Sequence, residues 1–341
     1  MKSSLFGKCA MLLASVTVFL LGANPAETAE DMASFYQGKV VRLVVASSPG
    51  GSTDINARLL APALERYLKC TVVVVNKAGA GGMVGTNDFY NASPKDGLTL
   101  MISMEGLPLA QALGAAGVRF DCRKFGWIAG LYKDSRSLQV AVGSPYKSLD
   151  DLRKLKQPKA AVTSVTSPAG PQVILAIEAL NIENAKLVKG YPGSTEIKLA
   201  LMRLEADFTV QSKSHIMRKD SFMRPLITVE EERDPDFPDL PALPEMKIKP
   251  EITKVMELIM KGNASGRALI TPPGVSNEKI AFLRKVTTAV LKDPDYVASV
   301  KKADLFSNPI SGEKTAESVE KALTATPEDL EKLRFLILKK Y

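Results

Sequence analysis

The first half of the chain alternates apolar runs with small polar turns in a strand–helix rhythm. Val40–Ala46 is short and rich in β-branched residues, which favours a buried strand over a helix. Small residues follow in Ser47–Thr53, and an apolar stripe with helical spacing begins near Asp54. Thr71–Asn76 repeats the strand pattern before a second glycine-rich turn. This order predicts a parallel sheet whose strands end at one edge, where such folds bind ligands.

The pattern then leaves this first unit and later returns to it. Strands are predicted at Trp127–Gly130 and Leu138–Gly143, where a second strand–helix series begins. The Pro- and Asp-rich segment Arg233–Pro250 predicts an irregular crossover, and Gly262–Thr271 then resumes extended structure. Asn277–Leu291 carries an apolar helical stripe.

We therefore predict an α/β protein of two lobes. Lobe 1 comprises residues 30–129 and 229–341, and lobe 2 is inserted between them as residues 130–228. A cleft between two lobes is a common binding place for small ligands.

The first 29 residues have the pattern of an export signal. Lys2 and Lys8 precede the apolar run Ala10–Gly22, and small residues follow up to Ala29. This run is shorter than the roughly 20 residues that a membrane-spanning helix needs, and a polar segment follows it at once. We expect cleavage near Ala29 and a periplasmic mature protein.

Composition argues against a nucleic-acid partner. The formal net charge is +8, but the basic residues are scattered and have few aromatic residues beside them. Nucleic-acid surfaces need a denser basic stripe, whereas a mild positive field favours anionic solutes. Beyond the leader only Cys70 and Cys122 remain. An oxidising compartment permits a disulfide between them, although we favour two separate, unreactive thiols.

Motifs for catalysis and cofactors are weak. His215 is the only histidine, and no serine lies in a GxSxG sequence. The glycine cluster Gly79–Gly85 has Val84 where a dinucleotide fingerprint needs its third glycine. The sequence has no phosphate-loop motif and no spacing typical of metal ligands. We therefore predict no enzymatic activity, no cofactor and no metal.

Three loops share one design. Ser47–Asp54, Asn76–Gly85 and Thr163–Pro171 each follow a predicted strand, precede a helix and are rich in glycine or hydroxyl residues. Backbone N–H groups at a helix N-terminus, together with hydroxyls, favour carboxylate or phosphate groups. Three such loops on two lobes could surround one anionic group. The alternative is that each is an ordinary connection that binds nothing.

Longer stretches resemble a known family. Ser48–Asp54, Val73–Leu100, Phe120–Gly130, Gly190–Phe208 and Thr271–Pro294 are similar, in this order, to solute receptors of tripartite tricarboxylate transporters, often called the Bug family. The resemblance covers most of the mature chain. It implies a two-lobed periplasmic binding protein of type II fold, with a mainly parallel sheet flanked by helices in each lobe.

The resemblance also implies a set of ligand-binding residues. In the family, main-chain and hydroxyl groups of the first-strand loop hold the ligand carboxylate, often through bridging water, and a second-lobe loop faces them. Position 47, usually aromatic in the family, is serine here. Carried over by position, the expected residues are Ser47, Ser48, Gly50, Gly51, Ser52, Thr53, Asp54, Asn76, Gly81, Gly82, Thr163, Ser164, Thr166, Gly170, Tyr191, Pro192, Gly193 and Ser194.

The function that the resemblance implies is solute capture. A monomeric receptor would bind a small organic carboxylate between its lobes and deliver it to the membrane permease subunits of a tripartite transporter. Two alternatives remain from the sequence: a periplasmic sensor that feeds a signalling system, and an exported enzyme.

Overall fold

The computed structural model describes residues 29–133, 135–217, 221–303, 305 and 307–341. The predicted export signal, residues 1–29, lies outside this range except for Ala29.

The predicted strands and helices occur in the predicted order, together with elements that were not predicted, such as the helices Leu107–Ala112 and Pro250–Asn263. The strands are β1 (Val40–Val45), β2 (Thr71–Asn76), β3 (Thr99–Ile102), β4 (Gly126–Tyr132), β5 (Arg136–Ala141), β6 (Lys159–Ala161), β7 (Lys186–Val188), β8 (Thr209–Ser212), β9 (Met223–Thr228), β10 (Arg267–Thr271) and β11 (Ile310–Ser311). The helices are α1 (Ala29–Tyr36), α2 (Ser52–Leu68), α3 (Met83–Ala92), α4 (Leu107–Ala112), α5 (Leu149–Arg153), α6 (Gly170–Ala179), α7 (Ser194–Met202), α8 (Ser214–Met217), α9 (Pro250–Asn263), α10 (Asn277–Leu291), α11 (Pro294–Lys302), α12 (Gly312–Leu323) and α13 (Pro327–Arg334), followed by a π-helical turn at Phe335–Lys339.

A six-stranded sheet in the order β11-β4-β10-β3-β1-β2 forms the centre of lobe 1. Strand β1 pairs in parallel with both β2 and β3, so the loops after these three strands lie at one edge. Leu43 packs with α2 and α10 on one face, whereas Val44 packs with α3 and α12 on the other. Burial on both faces explains why β1 is a continuous apolar run.

Lobe 2 contains the antiparallel strands β8-β5-β9 and the parallel pair β6-β7. A parallel bridge between Ala160 and Phe208 links the two groups. Strands β10 and β11 also pair antiparallel to their neighbours in lobe 1. The lobe 1 sheet is thus mixed rather than mainly parallel, because β10 and β11 pair antiparallel in it. In lobe 2 the β8-β5-β9 sheet is antiparallel, whereas the β6-β7 sheet is parallel.

Elements from beyond residue 228 complete the core of lobe 2. Ile259 and Met260 of α9 belong to the same buried cluster as Leu138 of β5 and Val173 of α6. Leu333 and Ile337, near the end of the chain, belong to it as well. Residues 250–263 were assigned to lobe 1 without a predicted helix, and residues 262–263 were predicted as extended. The division at residues 130 and 228 stays a proposal, and strand β4 continues past it to Tyr132 within the lobe 1 sheet.

A buried ionic network lies where the chain crosses between the lobes. Arg136, at the start of β5, places its guanidinium 2.5 Å from Glu105 Oε2, and the Arg267 guanidinium lies 3.7 Å from the same oxygen. Glu230 accepts the backbone N–H of Arg136 at 3.1 Å and pairs with Lys133 Nζ at 3.3 Å. We call these five residues the crossover network.

Candidate functional site

A cavity of about 740 Å³ lies between loops of the two lobes, and we call it the cleft cavity. Its lobe 1 wall comes from the loop after β2, from α3 and from the segment between α4 and β4. Its lobe 2 wall comes from the loops after β6 and β7. The lining residues are Ala80, Gly81, Met83, Val84, Asn87, Ala116, Gly117, Arg119, Thr163, Ser164, Thr166, Tyr191 and Pro192.

The structure brings part of the predicted site together at this cavity. Six predicted residues line it: Gly81, Thr163, Ser164, Thr166, Tyr191 and Pro192. Gly193 caps α7 and Ser194 begins it, directly after Tyr191 and Pro192, but neither is among the lining residues. The first loop, Ser47–Asp54, is also absent from the lining.

Asp54 organises the first loop from within. Its carboxylate is only 2% exposed and accepts hydrogen bonds from Gly50 N at 2.8 Å, Arg58 Nε at 3.0 Å and Asn76 Nδ2 at 2.9 Å. Burial by itself raises the pKa of Asp54, but the hydrogen bonds from Arg58, Gly50 and Asn76 outweigh it and lower the pKa below its usual value. This carboxylate therefore holds the loop in place.

Asn76 joins the first loop to the second. Its Nδ2 donates to Ser47 O at 3.1 Å as well as to Asp54, and its Oδ1 accepts from the Arg58 guanidinium at 3.2 Å. Around this joint Ser48, Gly50 and Gly51 stay exposed, whereas Thr53 is buried and Ser52 half-buried. The first N–H groups of α2 have no acceptor inside the helix, as at any helix start. The predicted contact of this loop with a ligand stays a prediction.

The second loop turns through four successive residues with positive φ. These angles are 135° at Gly79, 46° at Ala80, 65° at Gly81 and 93° at Gly82. A side chain at Gly82 would put Cβ 2.6 Å from Met104 Cγ and 3.0 Å from Ala46 O, so this glycine packs against the ends of β1 and β3. Gly82 shapes the loop, and its neighbours Ala80 and Gly81 face the cavity.

The second-lobe loop folds tightly against the start of α6. Ser167 Oγ donates to Ser164 O at 2.7 Å, and Gly190 N donates to Thr163 O at 3.1 Å. A Cβ at Gly170 would lie 2.3 Å from Ser164 O, so only glycine lets the loop pack here. Gly170 thus positions the loop whose residues Thr163, Ser164 and Thr166 line the cavity. These hydroxyls can each donate a hydrogen bond to an anion.

Tyr191 adds a fourth hydroxyl-bearing side chain to the lobe 2 wall. Burial, with a smaller contribution from the charge of Glu205, raises the pKa of its phenol above the usual value. The hydroxyl therefore keeps its proton at neutral pH and can donate it in a hydrogen bond.

Sequence reasoning missed much of the lobe 1 wall. Asn87 lies on α3 four residues after Met83 and three after Val84, so it neighbours both on the helix surface. Ala116–Arg119 lies in a segment for which no element or role was predicted. Arg119 is exposed and is the one charged residue among the described residues that line the cleft cavity.

We also searched the described residues for a metal site, a membrane-spanning helix and a catalytic histidine. Within the described ranges, no three His, Cys, Asp or Glu side chains come together as a metal site would require. None of the helices seen there combines the length and apolar character that crossing a membrane demands. The side chain of His215, which we predicted to be non-catalytic, lies outside the described part of the structure.

The two cysteines are free, which confirms the preference for separate thiols. Burial, reinforced by the nearby Glu65 charge, raises the pKa of Cys70 to about 11. Burial raises the pKa of the fully buried Cys122 as well. Since the thiolate is the reactive form, both thiols are unreactive at neutral pH.

Comparison with known proteins identifies a family and relatives of the sequence. The family described as "Tripartite tricarboxylate transporter family receptor" (TctC) matches residues 56–322. Protein BugT of Bordetella pertussis is 43% identical over 102 residues, a match that spans 30% of this chain and 30% of BugT. A UPF0065 protein of Cupriavidus necator, in the gbd 5' region, is 24% identical over 327 residues, covering 94% of this chain and 95% of that protein.

Solved structures show the same fold. Rpa4515 of R. palustris, solved with adipate, has a TM-score of 0.70 at 19% identity, covering 86% of this chain and 97% of that one. MatC of Rhodopseudomonas palustris, solved with malate, has a TM-score of 0.68 at 19% identity over 86% and 99% of the two chains. The periplasmic binding protein BugD has a TM-score of 0.67 at 22% identity over 87% and 97%.

These comparisons confirm both the resemblance and the fold class that the sequence predicted. The fold is the type II periplasmic binding protein fold, and the related proteins are solute-binding proteins. The chain belongs to the Bug family of tripartite tricarboxylate transporter receptors.

Proposed function

We propose that this protein captures a small organic carboxylate in the cleft cavity and delivers it to the membrane permease of a tripartite tricarboxylate-type transporter. One observation carries the proposal. The cavity has walls from both lobes, and its described lining combines hydroxyl side chains and positive-φ backbone with a single charged group, the cation Arg119. Such a lining offers hydrogen-bond donors and positive charge to an anion.

The carboxylate class draws support from the structural neighbours. MatC was solved with malate and Rpa4515 with adipate, and both of these ligands are carboxylic acids. The mild net positive charge of the chain, +8, favours the approach of such anions.

Capture would act through closure of the lobes. A ligand that touches Gly81 on one wall and Ser164 on the other gains contacts when the walls approach. It therefore binds the closed arrangement more tightly and shifts the population toward it. No bond in the solute is made or broken, so the role is that of a receptor and not an enzyme.

The first loop contributes to the same site in this proposal. Ser48, Gly50 and Gly51 are exposed, and Asn76 links their loop to the one that bears Gly81. The unpaired N–H groups at the start of α2 are suited to a carboxylate. Residues 1–29 would act as the export signal, so that the receptor works as a periplasmic monomer. Mass spectrometry and light scattering of the exported protein would measure the cleavage site and the monomeric mass.

A ligand screen tests the function directly. Purified protein is heated with a panel of organic acids, because a ligand at about 100 times its Kd stabilises the folded state by about 2.7 kcal/mol. Calorimetry then measures Kd for the best acid with Ser164→Ala and Thr166→Val, and each should weaken binding several-fold. Thr253→Val is the control, since Thr253 Oγ1 bonds only Lys249 O on α9 at 3.3 Å. Failure of every acid to bind would overturn the proposal.

A further inference from the structure

We infer that Arg119 recognises a second anionic group of the ligand, so that the cleft selects dianionic over monoanionic acids. This inference rests on the proposed function and assigns a specificity-determining residue within it.

The backbone of Arg119 is fixed on both sides. Its N–H donates to Asn87 Oδ1 at 2.9 Å, and its carbonyl accepts from Asn91 Nδ2 at 3.1 Å. Asn87 Nδ2 also donates to Gly117 O at 2.7 Å. Because Asn87 and Asn91 are one turn apart on α3, the segment is tied to the same helix that forms the cavity wall.

The next residue anchors the segment further. Phe120 is 7% exposed, and its ring centroid lies 6.1 Å from that of Phe125. Gly117, with φ at 87°, makes the turn that precedes Arg119. Arg119 therefore projects its side chain from a rigid backbone, and a bound anion would not have to order the segment first.

The Arg119 guanidinium is unpaired among the residues that the structure describes. Arg119 is exposed, and the structure shows no hydrogen bond or ion pair between its side chain and the described residues. The nearby Arg123 differs, since its Nε lies 3.1 Å from Glu320 Oε2 and its guanidinium also donates to Leu323 O. Arg123 thus stabilises packing, whereas Arg119 offers its five N–H donors to the cleft.

The two walls of the cleft cavity differ in composition, so each wall suits a different end of a ligand. The described lobe 2 wall carries the hydroxyls of Thr163, Ser164, Thr166 and Tyr191 but no charged group. The lobe 1 wall carries Arg119, and no described carboxylate side chain lines the cavity to neutralise it. A guanidinium binds a carboxylate in a two-pronged geometry that hydroxyls do not provide. A dianion could therefore bind one wall with each end, whereas a monoanion leaves one wall unused.

Paired acids of equal length test this inference. Calorimetry at pH 7.5 compares succinate with butyrate and adipate with hexanoate, so that each pair differs in the second carboxylate. We expect wild-type protein to bind the tighter dianion at least about 10-fold better than its monoanionic partner. Arg119→Gln should weaken the dianion about 10- to 100-fold and change the monoanion by less than about 3-fold. Arg119→Lys should recover part of the lost dianion affinity, since lysine restores the positive charge but not the two-pronged geometry of the guanidinium.

Arg123→Gln is the matched control, because it removes the same charge from a nearby exposed arginine outside the cavity. It should leave both affinities unchanged. If Arg119→Gln weakens both members of a pair equally, or neither, the inference is overturned while the proposed function stands. If wild-type protein binds no acid of either type, the proposed function fails and the inference fails with it. Unchanged circular dichroism and Tm would show that Arg119→Gln remains folded.

Discussion

Two cavities of similar size differ sharply in the number of charged residues that line them. The cleft cavity, about 740 Å³, has Arg119 as its one charged lining residue in the described chain. A second cavity of about 610 Å³ lies at the crossover between the lobes and is lined by Lys133, Ser135, Lys213, Glu230, Glu231, Glu232, Arg233, Asp234, Pro235, Ser307 and Asn308. We call it the crossover cavity.

Several of the charges that line the crossover cavity lie in ion pairs. Lys213 Nζ lies 3.0 Å from Asp234 and 2.7 Å from Asp236, while Lys133 reaches Glu230. Their fields largely cancel, and each group gains a partner that also fixes the geometry of the crossover. The comparison separates charges that stabilise the fold from a charge that is available to a ligand. Within the described residues Arg119 is of the second kind, and the proposed site at the cleft cavity depends on that difference.

The largest effect should come from breaking the crossover network. Arg136→Met removes the closest partner of Glu105, whose carboxylate is 3% exposed, and leaves that charge poorly compensated. Loss of one partner of a buried pair typically lowers the free energy of unfolding by about 3–5 kcal/mol. Chemical denaturation measures this loss.

Lys321→Met is its control, because Lys321 pairs with Glu317 on the exposed face of α12. This substitution should cost no more than about 0.5 kcal/mol. If both variants lowered the free energy of unfolding by the same amount, the structural role that we assign to the crossover charges would be wrong.

Asp54→Asn should have a smaller effect. The carboxamide keeps the shape but has one acceptor oxygen, so it cannot accept from Gly50 and Arg58 at one position and from Asn76 at the other. The hydrogen bonds that remain also lose the negative charge of the acceptor. We expect the free energy of unfolding to fall by about 1.5–3 kcal/mol at pH 7.

The lowered pKa of Asp54 sets the direction of its pH dependence. Its stabilisation is present above the unfolded value of 3.8 and disappears as the pH falls through the lower native pKa. The cost of Asp54→Asn should therefore shrink in acid. Asp88→Asn, which affects the exposed pair with Lys77, serves as the control and should cost little at any pH.

Glu230→Gln should change how stability depends on pH. Burial raises the pKa of Glu230, and the neighbouring Glu105 charge adds to this, while Lys133 and the Arg136 N–H oppose it; the net shift is upward. A raised native pKa means that the folded state holds this proton more tightly. The associated stabilisation is therefore complete below the unfolded value of 4.5 and is lost as the pH rises through the native pKa.

Unfolding curves at several pH values measure this linkage. The difference in unfolding free energy, wild type minus Glu230→Gln, should fall as the pH rises from about 4.5. A difference that stays flat or rises would show that Glu230 is not destabilised by its burial.

The smallest stability effect belongs to the exposed first loop. Gly51 has φ at −75°, and a Cβ there would come no closer than 3.7 Å to Ser48 O. Gly51→Leu should therefore change the free energy of unfolding by less than about 0.5 kcal/mol. In the proposed site, its bulk should still weaken carboxylate binding at least 10-fold, as calorimetry would measure. Unchanged affinity would exclude the first loop from the site, which would then consist of the cleft cavity without that loop.

Local patterns predicted the elements of the fold well. Strand β2 and helix α10 have the predicted bounds. Helix α2 begins at Ser52, two residues before the expected start. These features depend on short-range spacing of apolar residues and on capping, which a sequence displays directly.

The site was less predictable because it depends on long-range packing. Arg119 reaches the cleft through hydrogen bonds to Asn87 and Asn91, and no local motif marks that pairing. Gly82 and Gly170 stood out by residue type, but only the structure shows that they pack loops against backbone atoms. The second-lobe hydroxyls that the resemblance implied, those of Thr163, Ser164 and Thr166, line the cleft cavity, and their contact with a ligand stays a prediction.

The shared core of lobe 2 has a consequence for chimeric receptors. Transplanting residues 130–228 into a relative would leave behind Ile259, Leu333 and Ile337, which pack against Leu138 and its neighbours. The graft would then depend on the host's own residues at these positions to cover that apolar surface. An exchange of ligand preference between family members must therefore carry α9 and residues 327–339 together with the inserted lobe.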